Sequence, residues 1–140
     1  VLENEPLSNI AREHLTVVRK NTDRMLRLIN QILDFRKIQN KKMRILAEET
    51  ELIAFLQKIT ESFKLVANEK QIDFSFNTNL KELYIWIDRD KLEKIVFNLL
   101  SNAFKYTLPR KSVKVHVKRD EEKVYIHVID EGIGIAKEKQ

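Results

Sequence analysis

DRDKLEKIVFNLLSNAFKY, Asp88 to Tyr106, is the stretch on which this 140-residue sequence turns. Leu92, Ile95, Val96, Leu99, Leu100 and Ala103 recur at helical spacing and form one apolar stripe. Asp88 stands just before the pattern as an N-cap. Asp90 and Glu93 offer a capping box one turn later, so the sequence leaves the first helical residue open. The flank of the stripe is unusual. Asn98, Asn102 and Lys105 are spaced four and three apart and share a face, with Tyr106 beside them. Asn is a poor interior helix residue because its amide competes for backbone groups. One reading of this face is a solvated polar surface. The other is a row of amide oxygens and an ammonium turned toward a phosphate and its metal.

Composition narrows the classes. Charged residues make up 34% and hydrophobic residues 43%, with two Gly and two Pro, which is a helix-rich, soluble profile. The length suits one ordinary domain, or a small domain with an appendage. There is no Cys, so disulfides, thiolate metal sites and cysteine nucleophiles are excluded, as fits a reducing compartment. No apolar run approaches the roughly 18 residues of a membrane span, and no signal peptide is seen. The charge is lopsided. Residues 1–45 hold ten Lys or Arg against five Asp or Glu, while residues 46–140 are neutral. The basic residues are scattered around a helix rather than interleaved with aromatics, so direct nucleic-acid binding is not expected.

Outward from the central helix, the order of elements follows from period. From Pro6 to about Asn40 nothing breaks a helix. Ala11, Leu15, Val18, Thr22, Met25, Ile29 and Ile32 alternate at spacings of four and three, a heptad seam. Leu26, Leu28, Leu33 and Phe35 widen it to the stripe of a four-helix bundle, which requires a partner helix. Met43, Ile45 and Ala47 predict a weak strand. Thr50 is the expected N-cap of a helix over 51–69, marked by Leu52, Ile53, Leu56, Ile59, Phe63, Val66 and Ala67. Ile72, Phe74 and Phe76 predict a strand, Asn77 to Glu82 a turn, and Leu83 to Ile87 a second strand. Pro109 ends the central helix. Val113, Val115 and Val117, then Val124, Ile126 and Val128, predict a hairpin with one face on a core. Helices with a mixed or mostly antiparallel sheet give an α+β fold: a long bundle-forming helix, then a two-layer α/β sandwich.

Both glycines fall in one place, the D-x-G-x-G of Asp130, Gly132 and Gly134, just past a strand. Glycine permits positive φ and close approach of backbone to a ligand. Asp130 at the strand end is a fixed acceptor for a ligand N–H group. The common phosphate loops, the serine-nucleophile motif and H-E-x-x-H are absent. His14, His116 and His127 do not form a metal spacing. His116 and His127 alternate with the valines of the hairpin and are expected to face solvent.

Two motifs now stand in order. NLLSNAFKYT, Asn98 to Thr107, resembles the N box of bacterial sensor histidine kinases. DEGIGI, Asp130 to Ile135, resembles their first glycine box, and Asp88 matches the Asp that commonly opens the N-box helix. RMLRLINQILDFRKI resembles the second helix of their dimerisation and phosphotransfer domain, in wording close to the hybrid sensor kinases.

The resemblance implies residues 1–42 as that dimerisation helix and 43–140 as the first part of a Bergerat-type ATP-binding domain. It implies ATP and Mg²⁺ as cofactors. Asn102 would hold Mg²⁺, Asn98 would lie beside it, Lys105 would bind phosphate and Tyr106 would border the nucleotide. Asp130 would accept from the adenine amino group, with Gly132 and Gly134 admitting backbone. The related gyrase, mismatch-repair and chaperone ATPases carry Glu at the position of Asn98, where it activates water. An amide cannot accept that proton, so Asn98 favours phosphoryl transfer to a protein over ATP hydrolysis.

The phospho-accepting His is expected before residue 1, and the second glycine box and lid after residue 140. His14 lacks the setting of an acceptor. No catalytic residue is therefore assigned within the chain. No autophosphorylation and weak nucleotide binding are expected of it alone. The implied partners are a second copy through the long helix and a response-regulator receiver. The implied setting is the cytoplasmic side of a sensor anchored in the inner membrane. The alternatives are a non-catalytic dimerisation or docking module and a Bergerat-fold ATPase.

Overall fold

With neither Gly nor Pro between Asn9 and Gln39, that whole span forms one helix, α1 (Asn9–Gln39). Arg36 and Lys37 lie in its last turn, where positive charge offsets the helix dipole. The computed structural model describes residues 9–40 and 43–134, and the expected start at Pro6 lies outside them. Leu15, Val18, Met25, Leu26, Ile29, Ile32, Leu33 and Phe35 of the seam are all exposed. The side chain of Leu28 lies outside the described ones. Among the described residues no helix is long and apolar enough to cross a membrane.

The chain divides into two compact units, Val1–Ile45 and Leu46–Gln140. The second contains β1 (Glu48–Glu51), α2 (Leu52–Glu61), α3 (Lys64–Lys70), β2 (Asp73–Thr78), β3 (Tyr84–Ile87), α4 (Arg89–Tyr106), β4 (Ser112–Arg119) and β5 (Val124–Asp130). β1 and β3 make a two-stranded antiparallel sheet. β2, β4 and β5 make the other, with β2 parallel and β5 antiparallel to the central β4. Mixed pairing and helices bearing on one core realise the expected α+β architecture.

Several local expectations need correction. Residues 43–47 form no strand, and Ile45 and Leu46 are about three-quarters exposed. The strand is instead the polar Glu48–Glu51, held by its ladder with β3 rather than by an apolar face. The α2 cap is Glu51, not Thr50. Its carboxylate accepts the N–H groups of Ile53 at 3.0 Å, Ala54 at 2.5 Å and Leu83 at 2.8 Å. Burial pulls its pKa up, but these backbone donors outweigh that and leave it lowered. The helix expected over 51–69 breaks at Ser62 and Phe63. Ser62 Oγ donates back to Ile59 O at 2.6 Å, a bond that competes with the helical ladder. β2 also runs on to Thr78, into the expected turn.

The core follows the β period. Val113, Val115 and Val117 of β4 are wholly buried, and Phe74, Phe76, Ile126 and Val128 pack beside them. From the helices, Leu52, Leu56, Val96 and Leu100 are buried against this layer. Phe104 stacks on Phe63 at 5.5 Å and meets Phe74 edge-on at 5.0 Å between ring centres. Two of the six residues of the stripe expected on α4 are not core, and Leu92 packs at its edge. Val96, Leu100, Ala103 and Phe104 are buried, whereas Ile95 and Leu99 are exposed.

Candidate functional site

The site begins with the cap of α4. Asp88 Oδ1 accepts the Lys91 N–H at 3.1 Å, the bond of an N-cap, so Asp88 is the cap and the Asp90–Glu93 alternative is not used. Asp88 Oδ2 accepts the Leu46 N–H at 2.9 Å and pairs with the Lys91 ammonium. The Lys91 side-chain bond, then the Leu46 N–H, pull the carboxyl down to about 2. One carboxylate thus fixes both the start of α4 and the first residue of its unit.

On α4, successive side chains turn about 100°, so Ile95, Asn98, Leu99, Asn102, Lys105 and Tyr106 share an arc of about 120°. All six are exposed. Ile95 is 55% and Leu99 45% exposed beside the two Asn. An apolar strip next to amides and a cation is the mixture of side chains from which ligand sites are built. The Lys105 ammonium lies 3.0 Å from the Tyr106 hydroxyl and 4.8 Å from the ring centre, so it sits at the polar edge of that ring.

The glycine loop docks at the C-terminal end of this face. In the β4–β5 ladder Val113 pairs with Asp130 and Val115 with Val128, so Asp130 extends the core-facing row of β5. Its Oδ1 accepts the Gly132 N–H at 2.9 Å. The Ile133 N–H donates to the Tyr106 carbonyl at 3.2 Å, which ties the loop to α4. The two glycines serve different needs. A Cβ at Gly132 would stand 2.6 Å from Asp130 Oδ1 and 3.0 Å from the Tyr106 carbonyl oxygen, so close approach requires its absence. Gly134 has open space around it but φ of +72°, which side chains resist. Ile135, the last residue of the motif, lies outside the described residues.

Two supporting residues had no signal in the sequence. Lys70 of α3 donates from Nζ to the Phe104 carbonyl at 2.7 Å, satisfying an end carbonyl of α4. Glu131 Oε2 accepts the Ser112 N–H at 2.8 Å while the Glu131 N–H donates to Ser112 O at 3.1 Å. Donation by the Ser112 backbone, then by its side chain, holds the Glu131 pKa below its ordinary value. These partners are 34 and 19 residues apart in sequence, beyond any local pattern.

Tyr106, Asp130 and Gly132 are therefore brought into one junction. Asn102 and Asn98 lie four and eight residues back along α4, roughly 6 and 12 Å from it by helical rise. A surface depression of about 480 Å³ lined by Asp120, Glu121, Glu122, Lys123 and Tyr125 lies at the opposite end of the β4–β5 hairpin, away from this junction.

Residues 87–140 match the family of histidine kinase-, DNA gyrase B- and HSP90-like ATPases. Histidine kinase P4 of Formosa agariphila is 33% identical over 131 residues, covering 94% of this chain and 10% of that protein. The sensor histidine kinase WalK of Bacillus subtilis is 35% identical over 131 residues, covering 92% of this chain and 21% of that protein. The chain belongs with the sensor histidine kinases. It spans between a tenth and about a fifth of the length of these two relatives. Among solved structures, full-length ShkA in complex with AMPPNP superposes with a TM-score of 0.79 at 25% identity, over 98% of this chain and 30% of that one. The α4 face and the glycine loop both lie within the ATPase match.

Proposed function

We propose that the second unit binds ATP with Mg²⁺ for transfer of a phosphoryl group to a histidine in two-component signalling. The observation that carries this is the Ile133–Tyr106 hydrogen bond. It joins the D-x-G-x-G loop to the helix that presents Asn98, Asn102 and Lys105. The donor set fits the ligand. Asn102 offers a hard amide oxygen for Mg²⁺, and Lys105 offers a point charge for phosphate. Gly132 lets the loop close tightly on Asp130 and the Tyr106 carbonyl, which fixes the Asp130 acceptor offered to an adenine amino group.

ATP, when bound, supplies the phosphoryl group. The chain's own residues position it. Asp130 orients one end of the nucleotide and Tyr106 borders it. Asn98 lies along the same face, next to Asn102. Because an amide takes up no proton, Asn98 leaves water without a general base there, which supports transfer over hydrolysis. The acceptor is a histidine other than His14, His116 and His127, and onward transfer goes to a response-regulator receiver. A membrane-anchored, dimeric parent, with α1 as its dimerisation helix, completes the reading.

Titration of a fluorescent ATP analogue tests it. Binding should tighten with Mg²⁺, and Asn102→Ala should remove that Mg²⁺ effect, roughly tenfold or more in affinity. Gly132→Ala should weaken binding with or without Mg²⁺. An Mg²⁺ effect undiminished in Asn102→Ala would overturn the assignment.

A further inference from the structure

Away from the nucleotide face, the outer side of the three-stranded sheet pairs two imidazoles. In the β4–β5 ladder His116 lies directly opposite His127. The inward residues of β4 are Val115 and Val117, so both histidines stand on the other face. Directly opposed antiparallel residues bring their Cβ atoms within about 5 Å. The two ring centres are 6.3 Å apart, with planes inclined at 42°. A metal held through an imidazole nitrogen at about 2 Å lies roughly 3 Å from the ring centre, so at tetrahedral or octahedral angles two rings sharing one ion have centres roughly 4.5 to 5 Å apart. A change of the His116 side-chain torsions, on an exposed ring, closes the difference.

The two rings are unequal. His127 stacks on Tyr125, with ring centres 6.1 Å apart and planes 19° from parallel, which limits its rotation. Its Nε2 is buried and has no hydrogen-bond partner, a costly state for a ring nitrogen. His116 is exposed and adjustable. On β2, Asn77 lies beside His116 in the same rung.

We propose that His116 and His127 form a cross-strand site for one transition-metal ion of the Zn²⁺, Ni²⁺ or Cu²⁺ class, with water in the remaining positions. Two imidazoles without a carboxylate select such ions over Mg²⁺ and Ca²⁺. Among the described residues no cluster of three or more His, Asp or Glu is placed to hold a metal, so this is a two-ligand site. Lys114 and Lys118 flank His116 on the same face of β4. They repel a dication less as salt rises, so binding should strengthen with ionic strength. Among the described residues β5 pairs only with β4. The ion would therefore staple to its neighbour the strand that ends in Asp130.

Thermal unfolding of the full chain without nucleotide tests this, with Ni²⁺ as the probe and Mg²⁺ as the control. Saturating Ni²⁺ should raise the Tm of the second unit by about 5 °C, while Mg²⁺ should not. His116→Gln and His127→Gln should each abolish the rise, and His14→Gln should leave it. Should His127→Gln not fold, the exposed His116→Gln still decides the matter. No rise with Ni²⁺, or a full rise in His116→Gln, would overturn the proposal. Neither outcome bears on the ATP site, since no nucleotide is present.

Discussion

α1 and α4 are both amphipathic helices, yet they meet opposite fates. α4 buries Val96, Leu100, Ala103 and Phe104 in its own unit, whereas α1 leaves Leu26, Ile29, Ile32 and Phe35 more than half exposed. The difference is one of partner, not of pattern. α4 has a valine-faced sheet of the same unit beneath it. The α1 seam is wide enough for a bundle, and a second helix is what such a seam packs against. Exposed apolar residues also mean different things in the two. On α4, Ile95 and Leu99 are mixed with Asn98 and Asn102 on the face proposed to meet the nucleotide. On α1 they run at coiled-coil spacing as a helix-packing surface.

The largest test of this contrast is truncation on each helix. Leu100→Ala, at a wholly buried position, should destabilise the second unit by about 2–5 kcal/mol in urea denaturation. Ile29→Ala should move that transition by less than about 0.5 kcal/mol. Equal costs would erase the distinction. A smaller effect is expected in assembly. The chain should self-associate at micromolar concentration, and Ile29→Asp should weaken association roughly tenfold or more in sedimentation, about 1.4 kcal/mol. A wild-type monomer at tens of micromolar would show that the α1 face needs no partner.

The smallest effect is expected in acid. Asp88 has its carboxyl lowered from 3.8 to about 2 in the folded chain. Between those values the unfolded chain binds more protons, so stability rises with pH there. The contribution is fully present above about pH 4 and is lost as pH falls toward 2. Asp88→Asn keeps an N-cap side chain but removes the charge, so it should flatten this part of the acid limb. An unchanged slope would mean that the Lys91 and Leu46 contacts to Asp88 carry no net stabilisation.

Much of this molecule was legible in its sequence where the signal is local. The α4 start at Asp88, the β4–β5 hairpin and the D-x-G-x-G loop all rest on neighbours a few residues apart. The failures share a cause. Glu51 replaces Thr50 as a cap because it also reaches the Leu83 N–H, 32 residues away. β1 is polar and reads as no strand, and only its pairing with β3 makes it one. The break at Ser62 and Phe63 lies inside a regular apolar period. There a local back-bond to Ile59 and the packing of Phe63 on Phe97 and Phe104 replace a continuous helix.

By itself, then, the sequence determined the long first helix, α4 with its Asp88 cap, the β4–β5 hairpin and the place of the D-x-G-x-G loop. Period and capping act within a turn or two of chain and need no tertiary partner. Tertiary structure decided which part of the α4 stripe enters the core and that the glycine loop closes on the Tyr106 carbonyl. It also set Lys70 and Glu131 to hold that junction, and brought His116 across from His127. Each of these depends on contacts between residues far apart in sequence, and only the packed sheet supplies them.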